Sequence, residues 1–348
     1  MKKVSELAEI KKLKKEISEA QLPSDLKTKA DSLVERLSTT MRFGNFSQEY
    51  QTISSYIDWI THLPWKNKSQ DQLDLIKAKK ILDEHHYGLN DIKERVLEYM
   101  AVMKLRGKAG QSIRAPILCL VGLVGTGKTT LANSIAETMG RKLIRIPFGG
   151  IERAFYLRGR SRAFPQAEPG QVVKGLRRVQ TLNPIILLDE IDRIAENAKS
   201  AVMGVLVELL DPAQNDRFVD YFIDYPIDLS QAFFIATCNN TREISQAVLD
   251  RLEIITMPSY TDEEKIVIAR QYLLPQALKK AGLKPENLTI APSVWPKIVR
   301  PLGYDAGVRT LGRHIADICR QVAKKIVISA KTDFVINEEN LADYIQSW

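Results

Sequence analysis

The sequence predicts a doubly wound α/β fold with a helical region on each side of it. Apolar runs at 117–121, 185–188 and 233–237 show no polar alternation, which is typical of strands buried on both faces of a parallel sheet. Helical patterns separate these runs, as crossover helices do between parallel strands. With 348 residues, the chain is long enough for two or three domains.

Residues 1–80 are predicted to form the first domain, a helical region. Apolar residues recur at three- to four-residue spacing before Pro23 and again after it, and a third helix follows from about Ser47. Two more helices are expected between 71 and 108, separated by a stop at Gly88.

The predicted second domain, 81–257, carries the sheet, and the third, 258–348, is again helical. In the second, strands at 117–121, 142–146, 185–188, 233–237 and 254–257 alternate with helices at 129–139 and around 171–180. In the third, helices are expected at 261–273 and 307–329. A short strand at 334–336 then precedes a terminal helix for which Asn337 is a suitable N-cap.

Composition and charge exclude several classes of protein. No apolar run approaches the ~18–20 residues that span a bilayer, and the N-terminus lacks signal-peptide features, so we expect a cytoplasmic protein. Cys119, Cys238 and Cys319 are far apart in sequence and form no CxxC motif, which disfavours a zinc site. Two of them lie in apolar strand-like runs, which favours buried thiols in a reducing compartment. The net charge of +8 is local, because ten Lys and Arg residues and two acids lie between Arg141 and Arg178.

The strongest motif is a glycine-rich loop between a strand and a helix. It fits G-x-x-x-x-G-K-[ST], and a helical Thr130 follows it. Its residues are Gly122, Leu123, Val124, Gly125, Thr126, Gly127, Lys128 and Thr129. Backbone N–H groups of such a loop surround phosphate oxygens, and the helix N-terminus adds positive charge. Lys128 would reach the β- and γ-phosphates of ATP, and Thr129 would bind Mg²⁺ through its hydroxyl.

Polar residues end two of the predicted buried strands. Asp189 and Glu190 follow the run 185–188, at the sheet edge where α/β proteins bind ligands. Asp189 would hold Mg²⁺ through water, and Glu190 would orient or deprotonate the attacking water. Asn239 follows the run 233–237 and would sense the γ-phosphate if its strand neighbours that of Asp189. The alternative for Asn239 is a turn-forming Asn-Asn pair with Asn240.

Two arginines are candidates for contact with phosphates. Arg251 can act as a finger on a neighbouring subunit's ATP, a role worth roughly 10³–10⁵ in rate. The alternative is a surface ion pair with Asp250 or Glu253, worth about 0–1 kcal/mol. Arg309 begins a predicted helix and can contact the phosphates of its own subunit.

Several stretches together resemble the ATPase portion of Lon, the family of ATP-dependent proteases in the AAA+ class. They are 56–59 (YIDW), 63–65 (LPW), 81–89 (ILDEHHYGL), 116–122 (PILCLVG), 209–215 (LLDPAQN), 249–251 (LDR) and 306–309 (AGVR). The resemblance extends from about residue 5 to the end of the chain. It implies an AAA+ P-loop domain at 81–257 with a helical lid at 258–348.

The resemblance also implies roles for particular residues and a quaternary structure. It makes Asn239 the first sensor, Arg251 the finger and Arg309 the second sensor, and it places Tyr87 near the adenine. It implies a hexameric ring that threads unfolded or damaged proteins through its centre. The basic stretch 149–170 then corresponds to the pore loop, in which Phe164 and Pro165 would contact the threaded chain.

The chain departs from the family pattern in segments that face the substrate. The pore loop has Phe164-Pro165-Gln166 where the family has Tyr, an aliphatic residue and Gly, and 199–202 (KSAV) replaces Arg-Gly-Asp-Pro. Leu123 and Val124 replace two prolines at variable positions of the phosphate loop. The family's Ser-Lys peptidase domain would follow the lid, so no peptidase activity is expected from this chain alone. A separate peptidase partner remains an option.

Three functions remain open from the sequence. The first is an ATP-driven protein unfoldase motor. The second is an ATP-switched binding or scaffold protein that translocates nothing, which the altered pore loop favours. The third is a DNA-associated ATPase, for which the basic segment would be the binding surface.

Overall fold

The computed structural model describes residues 2–40, 46–108, 117–300, 306–329 and 332–345, with side chains described from residue 8 and outside 40–48 and 107–116. Pro116, which carries part of the Lon resemblance, lies outside these ranges. Backbone contacts group the chain into two compact units. The first comprises Met1–Leu73, Tyr99–Cys119 and Ala136–Glu253, and the second comprises Asp74–Glu98, Leu120–Ile135 and Ile254–Trp348.

Strands occupy the middle and the end of the chain, as predicted. In order they are β1 (Ile117–Val121), β2 (Leu143–Pro147), β3 (Ile185–Asp189), β4 (Phe218–Val219), β5 (Pro226–Ile227), β6 (Phe233–Cys238), β7 (Leu252–Thr256), β8 (Leu288–Ile290) and β9 (Phe334–Ile336). Five of them form one sheet in the order β2-β3-β6-β1-β7. β4 pairs with β5, and β8 pairs with β9.

Helices flank these strands. In order they are α1 (Lys2–Glu19), α2 (Ser24–Thr40), α3 (Phe46–Thr61), α4 (Leu75–His85), α5 (Asn90–Lys108), α6 (Lys128–Met139), α7 (Phe155–Arg158), α8 (Gln171–Val179), α9 (Glu196–Leu210), α10 (Gln246–Leu249), α11 (Asp262–Ile268), α12 (Leu274–Lys280), α13 (Trp295–Val299) and α14 (Arg309–Ser329). A π-helical turn, Ala269–Leu273, joins α11 to α12.

The sheet explains the apolar strand runs. β3 pairs in parallel with β2 and with β6, so Ile185 lies opposite Leu143 on one side and Phe233 on the other. Every residue of β3 and of β6 is buried. The predicted α/β class with a parallel sheet is confirmed, and the mostly apolar strands suit a sheet that has no solvent-facing side here.

The first three helices pack on one another through the apolar stripe that the sequence shows. Ile17, Leu26, Leu37 and Ile57 are completely buried among them. Amphipathic helices of this length gain most of their stability from such packing rather than from intrinsic propensity. Helices therefore occupy most of the described residues of 1–80, as predicted, while the boundary of a separate first domain stays a prediction.

The helices after β7 form their own core. Trp295, Ile315, Ile318 and Val322 are buried in one cluster with Ile336 of β9. A Thr261 capping box with Glu264 begins α11, as the change to helical periodicity near 261 suggested. The predicted terminal helix is wrong over the described residues, where a short 3₁₀ turn, Leu341–Asp343, occurs instead. Asn337 accepts hydrogen bonds from the backbone of Glu339 and Asn340 and so makes a local turn.

Two whole-chain features bear on function class. In the described ranges, no helix is both long enough and apolar enough to span a bilayer. The same residues contain no group of three or more His, Cys, Asp or Glu side chains arranged to hold a metal ion. Cys119, Cys238 and Cys319 are all buried, and the sulfur atoms of Cys119 and Cys238 lie 3.8 Å apart, so the two thiols predicted in the strand runs are indeed buried.

Candidate functional site

The glycine-rich loop lies between the end of β1 and the start of α6. Gly125 and Gly127 have φ values of +85° and +96°, a region that side chains disfavour and glycine adopts readily. A Cβ on Gly122 would lie 2.7 Å from the Cβ of Met257, so no side chain fits there. The Thr126 hydroxyl donates to the Leu123 carbonyl over 2.9 Å. The motif's glycines therefore make this backbone path accessible.

Lys128 directs a buried ammonium group into the loop. It donates to the carbonyl oxygens of Gly122 and of Leu123, the latter over 3.0 Å. As the first residue of α6, it adds its charge to the partial positive charge of the helix N-terminus. Thr129 and Thr130 follow in the first helical turn. Ammonium, hydroxyl and backbone N–H groups together suit phosphate oxygens and the Mg²⁺ that accompanies them.

The start of α14 packs against this loop within the second unit. The Val308 N–H donates to the Gly125 carbonyl over 3.0 Å. A Cβ on Gly307 would lie 2.4 Å from the carbonyl carbon of Gly125, and one on Gly125 would lie 3.2 Å from the Cβ of Arg309. Arg309 is exposed at the first position of α14. The structure thus brings Arg309 to the phosphate loop.

Tyr87 lies in the turn between α4 and α5, and that turn contacts the helix after the phosphate loop. Ring nitrogens of His85 and His86 lie 3.0 Å and 2.9 Å from the Ser134 hydroxyl on α6. The Lys93 ammonium donates to the His86 carbonyl over 2.6 Å. Burial, assisted by the charges of His85 and Lys93, lowers the pKa of His86 to about 4, so its ring is neutral near pH 7. These contacts hold the Tyr87 turn beside α6.

In the first unit, Asp189 ends β3 with a buried carboxylate that is held from both neighbouring strands. One oxygen accepts a hydrogen bond from the Thr237 hydroxyl of β6 over 2.6 Å. The other lies 2.8 Å from Nε and 2.6 Å from Nη2 of Arg145 on β2. Hydrogen bonds to a charged group are shorter and stronger than neutral ones, so the carboxylate has one defined orientation.

Glu190 follows with a left-handed backbone, φ +60°, which is uncommon for a residue that has a side chain. Its N–H donates to the Thr237 hydroxyl over 2.9 Å, so Thr237 contacts both acids. Its carboxylate is 3.6 Å from the Arg193 guanidinium and is 37% exposed. Such conformations persist only where the surroundings determine them, and they are concentrated at functional sites.

Asn239 directly follows β6, the strand beside β3. The register pairs Leu188 with Ala236, so the residues after both strands reach the same edge of the sheet. The Asn239 N–H donates to the Asp192 carboxylate over 2.9 Å. The predicted adjacency of these two strands is confirmed, and the sensor role of Asn239 stays a prediction.

Arg251 has a different partner from either of those that the sequence suggested. Its guanidinium donates to the Asp211 carboxylate over 3.0 Å and to the Ala247 carbonyl over 2.7 Å. Among the described ion pairs, the partner of Arg251 is Asp211 in place of Asp250 or Glu253, and the finger role stays a prediction. Hydrogen bonds from Ala213 and from Arg251 lower the pKa of Asp211. The Arg251 side chain is 27% exposed, and its Nε atom is buried, so the two hydrogen bonds orient the guanidinium while part of the side chain remains at the surface.

The predicted substrate residues lie at an exposed apex. Residues 163–166 face solvent, and the Phe164 side chain is 54% exposed. The Arg160 guanidinium lies 4.8 Å from the centroid of the Phe164 ring. Pro165 follows, and Gln166 has a φ of +55°. Phe164 and Pro165 therefore stand where a bound polypeptide can contact them.

Much of the positive charge between Arg141 and Arg178 is paired inside the first unit. The ion pairs are Arg141–Asp71, Arg145–Asp189, Arg158–Glu208, Arg162–Asp224, Lys174–Glu168 and Arg177–Asp58. Arg162 lies 3.8 Å from the centroid of the Tyr56 ring. Nucleic-acid affinity comes largely from cations that neutralise phosphates. Internal pairing therefore leaves the segment less suited to DNA than its net charge suggests.

Three residues that the sequence interpretation did not select contribute to these sites. Thr237 and Arg145 hold Asp189, and Asp220 lies at the base of the loop that carries Phe164. Thr237 is the one hydroxyl in the apolar run 233–238, so a polar residue in a buried strand was an available signal. Nothing in the sequence around Asp220 distinguishes it from an ordinary turn residue.

The fold and the phosphate loop define the class of protein. Residues 118–260 match the family model "ATPase family associated with various cellular activities (AAA)". Residues 279–335 match the model of the "Lon protease AAA+ ATPase lid domain". The chain therefore carries an AAA ATPase domain followed by a lid domain.

Curated relatives identify the particular family. The chain is 42% identical over 337 residues to Lon protease of Lawsonia intracellularis, a match that covers 97% of this chain and 40% of the relative. It is 40% identical over 343 residues to Lon protease 1 of Bacillus subtilis, which covers 99% of this chain and 43% of that relative. It is 38% identical over 337 residues to Lon protease 2 of Herpetosiphon aurantiacus, which covers 97% of this chain and 41% of that relative. The chain belongs to the Lon family and spans about 40% of the length of these relatives.

Proposed function

We propose that this chain is a motor module that hydrolyses ATP and couples the hydrolysis to unfolding and translocation of protein substrates. The observation that carries the proposal is the acid pair at the end of β3. There, a buried Thr237 hydroxyl bonds both the Asp189 carboxylate and the backbone of a left-handed Glu190. An ion pair at a sheet edge does not require such an arrangement, whereas a carboxylate that must be aimed at a reactant does.

Each residue of the site has its own role in the proposed hydrolysis. Lys128 and the loop N–H groups bind phosphate oxygens, and the Thr129 hydroxyl and the Asp189 carboxylate are oxygen donors of the kind that Mg²⁺ prefers. When bound, Mg²⁺ neutralises charge on the phosphate oxygens. Glu190 orients the attacking water and accepts its proton, while Asn239 bonds the γ-phosphate or that water. The Tyr87 turn contacts the adenine.

Two arginines complete the machinery on this proposal. Arg309 contacts the phosphates of its own chain from the start of α14, and Arg251 serves as a finger on the ATP of a neighbouring copy. A finger in trans requires a neighbouring copy, and we propose that six copies assemble into a ring. The bond to Asp211 keeps the Arg251 guanidinium extended in one direction, which lowers the entropy lost when it meets a phosphate.

The exposed apex at Phe164 and Pro165 would grip unfolded or damaged proteins. An aromatic ring contacts any polypeptide without regard to sequence, which suits a motor with many substrates. Proteolysis, named in the relatives' descriptions, would come from a peptidase that acts with this motor. A cytoplasmic location belongs to the same proposal.

Steady-state ATP turnover with and without a permanently unfolded protein tests the proposal. We expect turnover that rises several-fold with unfolded protein, and a Phe164→Ala variant that loses this rise, because Phe164 is the exposed contact. Lys142→Ala serves as a matched control, since it removes an exposed side chain of the same basic segment outside the loop. Turnover that does not respond to unfolded protein would favour the ATP-switched scaffold. A response to DNA that falls steeply with salt would favour the DNA-associated ATPase.

A further inference from the structure

The loop of residues 159–170 is closed at its base by one buried carboxylate. Asp220 lies between β4 and β5 and is 0% exposed. One of its oxygens accepts a hydrogen bond from the Gly170 N–H over 2.7 Å. The other accepts from the N–H groups of Phe222 and Ile223 over 2.8 Å and 3.2 Å. The carboxylate therefore joins the end of the loop to the turn between two paired strands.

Both ends of the loop are glycines that admit no side chain. A Cβ on Gly159 would lie 2.6 Å from an Asp220 oxygen, and Gly159 has a φ of +73°. A Cβ on Gly170 would lie 2.0 Å from the Leu157 carbonyl oxygen. At such distances backbone would have to move, so the two ends of the loop approach as closely as they do only because both are glycine.

The flanks of the loop are tied to the same turn. The Tyr221 N–H donates to the Arg158 carbonyl over 2.7 Å, directly before Gly159. Inside the loop, the Arg162 guanidinium lies 3.9 Å from the Asp224 carboxylate and stacks on the ring of Tyr56. Only 163–166 remain as a run of exposed residues, so the fixed part of the loop ends where its apex begins.

Burying this carboxylate costs desolvation free energy, which opposes folding. Burial raises the pKa of Asp220 to about 6, even though three backbone N–H groups and the Arg158 charge lower it. A smaller polar residue or an apolar turn would avoid that desolvation cost. The two oxygens of the carboxylate bond two backbone segments at once, at Gly170 and at Phe222–Ile223. A side chain with a single acceptor atom does not offer this.

We propose that Asp220 is the positioning residue of the substrate loop. Its two oxygens fix the loop's glycine base against the β4–β5 turn, so that Phe164 is presented on a rigid support to a bound polypeptide. This inference rests on the proposed function of the Phe164 apex. It adds that gripping depends on a residue that touches neither substrate nor nucleotide.

Amide hydrogen exchange tests the anchoring directly. Asp220→Asn preserves size but offers one acceptor oxygen in place of two, and Gly170→Ala opens the base without changing Asp220. In both variants we expect exchange in peptides covering 157–170 to accelerate about tenfold or more, while β3 peptides exchange as in the wild type. Gly204→Ala, whose Cβ would meet nothing within 4 Å, is the control. Unchanged exchange at 157–170 in both variants would overturn the inference.

ATP turnover then tests whether the anchoring serves gripping. We expect both variants to raise the concentration of unfolded protein needed for half-maximal stimulation by about tenfold, with a smaller change in the maximal rate, because the apex is still present but poorly placed. Faster exchange with an unchanged half-maximal concentration would refute the positioning role. If unfolded protein does not change the ATP turnover of the wild type, the proposed function is refuted, and so is the role of the loop in gripping. In that case, the exchange result would still decide whether Asp220 holds the loop.

Discussion

The carboxyl edge of β3 and the loop 159–170 lie in the same unit, and each is organised by one buried polar side chain. At the edge, Thr237 bonds Asp189 and Glu190 from the adjacent strand. At the loop, Asp220 bonds Gly170 from a turn fifty positions away in sequence. The edge inherits its geometry from the register of a parallel sheet. The loop has no strand pairing of this kind, so its shape depends on the Asp220 carboxylate and on Gly159 and Gly170.

This difference indicates which parts of an AAA ATPase can change without loss of hydrolysis. The residues that we propose for hydrolysis follow the family pattern given above, whereas the apex Phe164-Pro165-Gln166 departs from it. A sheet edge tolerates little change, because each strand's position depends on its neighbours. A loop closed at its base can accept a new apex while the base stays the same. Variants of the edge should therefore change turnover in all conditions, whereas variants of the loop should first change the response to unfolded protein.

The largest effect is expected from Arg251→Ala. If Arg251 acts as a finger in trans, turnover falls by roughly 10³–10⁵-fold. Mixing this variant with Glu190→Gln should restore turnover, because mixed rings contain sites with an intact Glu190 and a neighbour's intact Arg251. Failure to restore activity would place Arg251 in its own subunit's chemistry. A loss of only about 1 kcal/mol in stability, with normal turnover, would reduce it to the partner of Asp211.

The next largest effect is expected from Glu190→Gln. Loss of a general base costs roughly 10²–10⁴ in rate, so turnover should fall by that factor while ATP binding persists. Rapid-quench turnover and nucleotide-binding titration measure the two quantities. Glu243→Gln, at an exposed glutamate that pairs with Lys199, should leave turnover within about twofold. Equal losses of binding and turnover would show that Glu190 acts on the fold of the edge and not on water.

A smaller effect is expected from Thr237→Val, which tests whether the orientation of Asp189 and Glu190 contributes to the turnover rate. Thr237→Val keeps the shape and removes the hydroxyl, so Asp189 and the Glu190 backbone each lose a hydrogen bond. We expect about a tenfold fall in the turnover rate and a higher Mg²⁺ requirement. Thr237→Ser restores the hydroxyl and should recover most of the rate. If the Ser variant behaves like the Val variant, packing of the methyl group matters and the hydroxyl does not.

The smallest effect concerns pH at the loop base. The folded pKa of Asp220, about 6, lies above its ordinary value of 3.8, so the folded state binds a proton that the unfolded state releases. Its contribution to stability is therefore full at low pH and is lost as pH rises through 6. Relative to Asp220→Asn, the wild type should gain about 1 kcal/mol in unfolding free energy between pH 7 and pH 5. Denaturant titrations of wild type, Asp220→Asn and Gly204→Ala at both values measure this gain. A pH-independent difference between wild type and Asp220→Asn would contradict the raised pKa.

The amino-acid sequence alone was enough to predict the strands, their parallel arrangement and the phosphate loop. Each of these follows from local rules: strands buried on both faces must be apolar, and a phosphate cradle needs glycines followed by Lys and Thr at a helix start. It also brought Asp189 and Asn239 to one edge of the sheet, because the carboxyl ends of parallel strands coincide. Three contacts became evident only in the folded structure: Thr237 bonds Asp189 and Glu190, Arg251 pairs with Asp211, and Asp220 closes the base of the loop 159–170. Those contacts link residues far apart in sequence, and a short polar side chain in a turn or strand carries no local sign of the partner that folding brings to it.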